Sequence, residues 1–460
     1  MINILWDASH FWGYLLLHAM QSSGLPYRLL KAEKIAQAGL TGKVLIVPGG
    51  SARRKAQALG PIGQGAVRRF VAEGGHYLGF CGGAGLALRE GLGLCSWSRG
   101  WLPDRLQHFI SGHINCRLTP DHPLLPAKST WASLPVWWPS RFDESPTRDV
   151  EVLARYQSAG EDLYVADLPY ALVPAQIRAE WQTLYGVDLH PSLLENQPCV
   201  IAGKFERGDW VLSYSHLETP QPLMGNPPEN LLNNSPLPGN TVGDRSDTMS
   251  SEINSETANC APGNSTSGNS TSGNSASGNY ISANAVFFHL LGRWLGRDYS
   301  LLSVPEWEPA ALPLVWEDAT LAEAGQRLDN LLAQAAALNL LFTRRPWLQG
   351  WRAGIPGAQI NGLAVALKTA QALPPIHCRL SRWQERSGKF MEQFKLFEQA
   401  ASSWLLARRL ADTLSDAKPG LLPKTLLEDQ RQMLFGTPMA GNGLCGLLQF
   451  ELEELLFCED

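Results

Sequence analysis

Cys81 sits in the run Gly79-Phe80-Cys81-Gly82-Gly83-Ala84-Gly85, between the apolar segment His76–Phe80 and the helix-forming Leu86-Ala87-Leu88. A nucleophile at a sharp strand-to-helix turn adopts strained backbone angles, and only small neighbours leave it room. The helix N-terminus that follows supplies partial positive charge and free N–H groups. Both favour the thiolate, which is the form that attacks. The N–H of Gly82 is then placed to hold a developing oxyanion. The packing alternative is a small residue tucked into a tight turn.

Two further groups of residues bear on the choice. Pro48-Gly49-Gly50 follows the apolar run Lys43-Val44-Leu45-Ile46-Val47. A Gly-Gly pair there allows close backbone approach at the carboxyl edge of a sheet, where open α/β sheets bind their ligands. Its N–H groups can complete an oxyanion hole. His216-Leu217-Glu218 follows Trp210–Ser215. Residues i and i+2 of an extended segment point the same way. The Glu218 carboxylate can therefore orient the His216 imidazole, which would take the thiol proton and return it to a leaving group. The alternative for this pair is a surface His beside a surface Glu.

The elements that must position these residues alternate. Ile2–Trp6, Lys43–Val47 and His76–Phe80 read as strands, and His10–Ser23 and Gly63–Glu73 as helices. Cys199–Phe205 and Trp210–Ser215 read as a hairpin turning at Glu206-Arg207-Gly208-Asp209. This rhythm predicts an α/β domain with a mainly parallel sheet covered by helices on both faces. Strands 2–6, 43–47 and 76–80 should be neighbours or near-neighbours in it.

In combination these motifs resemble class I glutamine amidotransferase-like domains. The closest likeness is to the N-terminal domain of biotin–protein ligases. The residues that carry it are Val47–Gly50, Arg69–Gly75, Tyr77–Gly85 and Leu212–Glu218, and it covers about residues 1–220. The resemblance implies a flavodoxin-like sheet and a Cys-His-Glu triad. In it Cys81 is nucleophile, His216 base and Glu218 its orienter, with Gly49, Gly50 and Gly82 around the oxyanion. It further implies a thiol hydrolase or transferase acting on an amide or related acyl substrate. Gly85 stands where glutamine-hydrolysing members carry Gln. Residues 285–460 lack the Gly-Arg-Gly-Arg and lysine-bearing strand of a biotin ligase. The rival reading is a non-catalytic module that keeps the fold and binds a small molecule or a partner.

The rest of the chain limits the alternatives. It has 460 residues, with 43 acidic and 38 basic ones, for a net charge of −5. That balance favours neither nucleic acid nor an anionic membrane. No apolar run approaches the ~20 residues of a membrane span, and the N-terminus lacks the basic start of a signal peptide. Eight cysteines without a CxxC pair support neither a zinc ribbon nor a disulfide framework. The expectations are therefore a cytoplasmic protein with no metal and no cofactor.

Residues 221–284 are rich in Asn, Ser and Gly and contain the repeat Gly-Asn-Ser-Thr-Ser. Such a segment reads as a flexible linker. Residues 285–460 read as a helical domain, with helices expected at 320–341, 361–373, 387–415 and 447–456. The apolar stripes Leu321-Ala324-Leu328-Leu331-Leu332-Ala335 and Phe390-Phe394-Phe397-Ala401-Leu405 read as core. This region is the candidate surface for a protein partner. Cys95 and Cys116 read as buried small hydrophobes, and Trp131, Trp137 and Trp138 as core or lid packing. Asp7, Ser9 and His10 follow the first strand and are candidates for the same sheet edge as Cys81.

Overall fold

A computed structural model describes residues 1–100, 110–145, 147, 149–185, 194–220, 279–352, 355–414, 424–436 and 443–458. The first part runs β1 (Ile2–Leu5), α1 (Phe11–Ser23), β2 (Tyr27–Leu30), α2 (Ala32–Ala38), β3 (Val44–Val47), α3 (Ala52–Ala72), β4 (His76–Phe80) and α4 (Gly82–Ala87). There follow β5 (Ser98–Gly100), β6 (Ile110–Leu118), β7 (Ser129–Trp137), β8 (Arg141–Asp143), β9 (Val150–Ala159), β10 (Tyr164–Val165), β11 (Leu168–Pro169), α5 (Ala175–Tyr185), β12 (Pro198–Phe205) and β13 (Gly208–Ser213). The last part runs β14 (Asn279–Ser282), α6 (Ala283–Leu295), α7 (Ala319–Ala337), β15 (Leu341–Arg345), β16 (Leu348–Trp351), α8 (Ile355–Gln371), α9 (His377–Leu414), α10 (Lys424–Phe435) and α11 (Leu444–Glu453).

Five strands pair in parallel in the order β2-β1-β3-β4-β13. Numbered along the chain among themselves, these strands give the 2-1-3-4-5 order of a flavodoxin-like sheet. The three strands expected to be neighbours or near-neighbours are consecutive. Their side chains alternate between two apolar layers: Val44 and Ile46 join one buried cluster, Leu45 and Val47 another. A strand apolar on both faces must be covered on both. Helices α2, α3 and α4 cover one face, and α1 with α6 the other.

Beyond β13 the sheet continues antiparallel through β12, β9 and β6, with β7 also paired to β6. The hairpin turn is shorter than expected. Only Glu206 and Arg207 lie outside the strands, and Glu206 takes φ 54°. Gly208 belongs to β13, where a Cβ would meet the carbonyl oxygens of Gly75 and Val71 at 2.2 Å.

Residues 221–278, most of the expected linker, lie outside the described residues. The described residues begin again at Asn279, and β14 and the start of α6 occupy positions 279–284 that the sequence assigned to the linker. Tyr280 stacks on Trp131 with ring centres 6.0 Å apart, and β14 pairs in parallel with β7. The C-terminal helices fall close to their expected positions, but Leu341 starts the β15–β16 hairpin rather than ending a helix. Both apolar stripes are core: Leu321, Ala324, Leu328 and Leu331 are buried, as are Phe390, Phe394 and Phe397. None of the described helices is long and apolar enough to cross a membrane.

Residues Met1–Gln221 and Asn279–Asp460 make one compact unit. Phe287 and Phe288 of α6 are buried in the same cluster as Phe80 and Leu78 of β4. Phe11, Trp12 and Leu15 of α1 share another with Leu363 of α8 and Phe394 of α9. A chain cut at a protease site engineered between residues 222 and 278 should therefore elute as one species containing both pieces. Separation of the pieces in native size-exclusion chromatography would contradict the shared core.

Candidate active site

Cys81 lies between β4 and α4, with φ 46° and ψ −104°. Its N–H donates to the Ser213 carbonyl at 2.7 Å, and its own carbonyl accepts the Gly85 N–H at 2.9 Å. The angles are unfavourable for a residue with a side chain, so the surroundings must enforce them. The glycines do this by contact. A Cβ on Gly82 would lie 2.0 Å from the Gly50 carbonyl oxygen, and one on Gly83 1.9 Å from that of Val47. Gly50 takes φ 106°, and a Cβ there would lie 2.0 Å from the Ala8 carbonyl oxygen. The turn after β3, the elbow after β4 and the loop after β1 thus touch through bare backbone.

His216 and Glu218 lie just past β13 and are completely buried. Nδ1 of His216 is 2.9 Å from a Glu218 oxygen. The carboxylate must accept, which leaves Nε2 of a neutral ring without its proton. Nε2 makes no hydrogen bond among the described residues. The imidazole is close enough to Cys81 for each group to move the other's pKa. Burial raises the Cys81 thiol, but His216, Arg99 and the Gly82 N–H outweigh it, and the thiol lies below its ordinary value. Burial would discharge His216, but Glu218 and Cys81 outweigh that and raise it to about 9.

The imidazole is clamped. It stacks on Trp12 with ring centres 4.1 Å apart and meets Trp137 edge-on at 5.6 Å. Gly49 makes room for this pair, since a Cβ there would lie 2.8 Å from both rings. The His216 N–H donates to Pro135 of β7 at 2.8 Å. Asn284 of α6 donates to the carbonyls of Leu217 and Thr219 at 2.9 and 3.0 Å. The segment carrying His216 is therefore held by both parts of the unit.

The loop after β1 does reach this sheet edge, as expected of Asp7, Ser9 and His10. Ala8 and His10 both take φ 52°. Burial first, then Lys55 and Arg54, lowers His10 to about 4. No motif in the sequence singles out Lys55. It is fully buried, and Nζ donates to Asp7 O at 2.8 Å and to Ser9 Oγ at 2.6 Å. Desolvation lowers its pKa to about 7, against the opposing pull of Asp7, Glu453 and Cys81. The available signal is a lysine at an apolar helical position, four residues before buried Leu59.

Of the three tryptophans, Trp137 touches His216 and Trp138 lines the neighbouring cavity; Trp131 packs on Tyr280. Cys95 and Cys116 are buried, with thiols pushed up by desolvation. Among the described residues no group of three or more His, Cys, Asp or Glu is arranged to hold a metal ion.

No family model matches the chain, and no curated protein matches it. Solved structures similar to part of it include a protein of the GMP synthase type from Thermoplasma acidophilum. It is 12% identical over 48% of this chain and 85% of that one, with a TM-score of 0.29. A ThuA-like protein from Bacteroides uniformis ATCC 8492 is 14% identical over 47% and 81%, also at 0.29. A beta-galactosidase from Bacillus circulans sp. alkalophilus is 14% identical over 47% of this chain but only 28% of its own length, at 0.28. Scores this low carry no argument, so the fold class rests on the strand order and the site on its own geometry.

Two outcomes follow from these environments. Iodoacetamide at neutral pH should label Cys81 ahead of Cys95, Cys116 and Cys445, because it is half-buried with a lowered pKa while those three are buried and raised. His216→Ala should move the labelling profile to higher pH, as read by peptide mass mapping. Lys55 has a lowered folded pKa, so between about 7 and 10.5 the unfolded chain binds more protons. Its contribution to stability therefore rises with pH over that range. The stability of wild type relative to Lys55→Met should increase from pH 7 to pH 10 in urea melts; a pH-independent difference would contradict it.

Proposed function

We propose that the protein is a thiol hydrolase or transferase acting on an amide or related acyl substrate. Cys81 is the nucleophile, His216 the base and Glu218 its orienter. The observation that carries this reading is the buried His216–Glu218 pair at 2.9 Å, set beside a cysteine at φ 46° with a lowered pKa.

The steps follow from the roles. His216 Nε2 takes the Cys81 thiol proton; the resulting thiolate attacks the carbonyl carbon, and the C=O electron pair moves to the oxygen. The Gly82 N–H faces the thiolate and, with that of Gly50, receives the negative oxygen. As the tetrahedral species collapses, the C–N bond breaks and His216 gives its Nε2 proton to the departing amine. The acyl group is left as a thioester on Cys81. Water, or a second nucleophile in a transferase, then gives its proton to His216 and releases the acyl group. Glu218 fixes the tautomer and stabilises the imidazolium throughout.

A second reading, a binding module, is favoured by one observation. His216 and Glu218 have no exposed surface, and the space beside them is walled by tryptophans. The two readings divide on covalent chemistry.

Acyl transfer from p-nitrophenyl acetate, with the mass of the acylated Cys81 peptide as a second readout, tests the reading. Cys81→Ser and His216→Ala should each lose about a thousandfold or more in rate, and Glu218→Gln roughly ten- to a hundredfold, with folding intact. The rate should rise with pH as Cys81 deprotonates below its ordinary range and fall as His216 deprotonates near about 9. Rates indifferent to both Cys81→Ser and His216→Ala leave the binding module.

A further inference from the structure

A cavity of about 570 Å³ lies between the loop after β1, the start of α3 and helices α8 and α11. That is the size of a small-molecule site. Trp12 and Trp137 line it, and the same two rings clamp His216. Phe11, Trp138, Phe450 and Phe457 supply further aromatic wall. Flat rings along a partly open cavity favour a flat apolar body.

The charged groups of the wall discriminate the ligand further. Lys31 is paired with Glu454. The Asp7 Oδ2 accepts the Ala32 N–H at 2.6 Å, Glu33 accepts the Gln37 amide at 2.9 Å, and Glu453 accepts the Gln449 amide at 2.9 Å. Glu453 is also pushed up to about 7 by burial, so its charge is partly suppressed near neutral pH. Each acid of the wall thus has a donor. Arg54 is half-buried, its backbone N–H is capped by Ser51, and its guanidinium has no ion pair or hydrogen bond among the described residues. A guanidinium offers a planar fork that matches a carboxylate. Among the charged groups of the wall, the one left without a partner is thus cationic; the neutral atoms Gln349 Oε1, Gln359 Oε1 and His10 Nε2 also have no hydrogen bond among the described residues.

We propose that this cavity binds a carboxylate-bearing small molecule with a flat apolar body, its carboxylate on Arg54 and its body against the rings around Trp12. It is independent of the proposed function, since Cys81, His216 and Glu218 are not among the residues that line the cavity.

N-acetyl-L-phenylalanine is a probe with an aromatic body, an amide and a carboxylate; N-acetyl-L-phenylalaninamide lacks only the charge. Both are titrated by calorimetry into the full chain carrying Cys81→Ser, so that turnover does not interfere. The carboxylate probe should bind, and Arg54→Gln should weaken it roughly ten- to a hundredfold while leaving the neutral probe unchanged. Arg54→Lys should keep part of the preference, and Phe450→Ala should weaken both probes. Absence of binding at millimolar concentration, or equal affinity of Arg54→Gln and its parent for the carboxylate probe, overturns the assignment. Binding that holds while the wild-type thiol shows no acyl transfer overturns the catalytic reading and leaves the cavity assignment standing.

Discussion

The Cys81 N–H donates to the Ser213 carbonyl across two parallel strands. That bond continues the β4–β13 register, in which Trp210 faces Tyr77 and Ser213 faces Phe80. The proximity of Cys81 and His216 depends on this pairing. Parallel strands end at the same edge of a sheet, so residues just beyond their ends share a neighbourhood. Cys81 lies one residue beyond β4 and His216 three beyond β13. An antiparallel β13 would have sent His216 to the opposite edge. The β12–β13 hairpin reverses the chain so that β13 enters the sheet in the required direction.

The second constraint is steric. Val47 and Gly50, on one side, and Gly82 and Gly83, on the other, approach so closely that no side chain fits between them. Strain concentrates there. Ala8, His10, Cys81 and Trp138 all take positive φ, and Ala8, His10 and Trp138 border the cavity while Cys81 begins the elbow. Residues in such conformations persist where their surroundings over-determine them. Lys55 is one such determinant, since it joins the backbone of Asp7 to the side chain of Ser9.

The parallel half was legible because β3 and β4 are short apolar runs closely followed by glycines, and because the motifs fall at those ends. His216-Leu217-Glu218 was legible because extended spacing alone puts the two side chains on one side. The antiparallel extension was less so. Strand β6 does alternate, with Ile110, Ile114, Cys116 and Leu118 buried, but polar Asn115 and His113 are nearly buried too. His113 keeps its place by pairing with Asp162, itself held below the ordinary carboxylate range and facing Arg345. Partners that far away in sequence leave no periodic trace. Lys55 and Asn284 escaped for the same reason: each is a polar residue at a buried position, and its justification lies in backbone carbonyls that only the fold supplies.

Asn284 also bears on why a helical segment accompanies this sheet at all. Its amide holds Leu217 and Thr219, on either side of Glu218, and its carbonyl oxygen accepts the Val304 N–H at 3.0 Å. A side chain fully buried with both amide ends satisfied is costly to move, because each lost partner leaves a buried polar group bare. The segment carrying His216 is thus fixed from outside the α/β sheet. Trp12 shows the same dependence from the opposite side. One face of its ring stacks on His216, while α1, which carries it, packs against α8. Without the helices, α1 would expose Phe11 and Leu15, and the imidazole would lose one wall of its clamp. The sheet places Cys81, His216 and Glu218, and the helices after residue 279 hold the His216 imidazole beside the thiol.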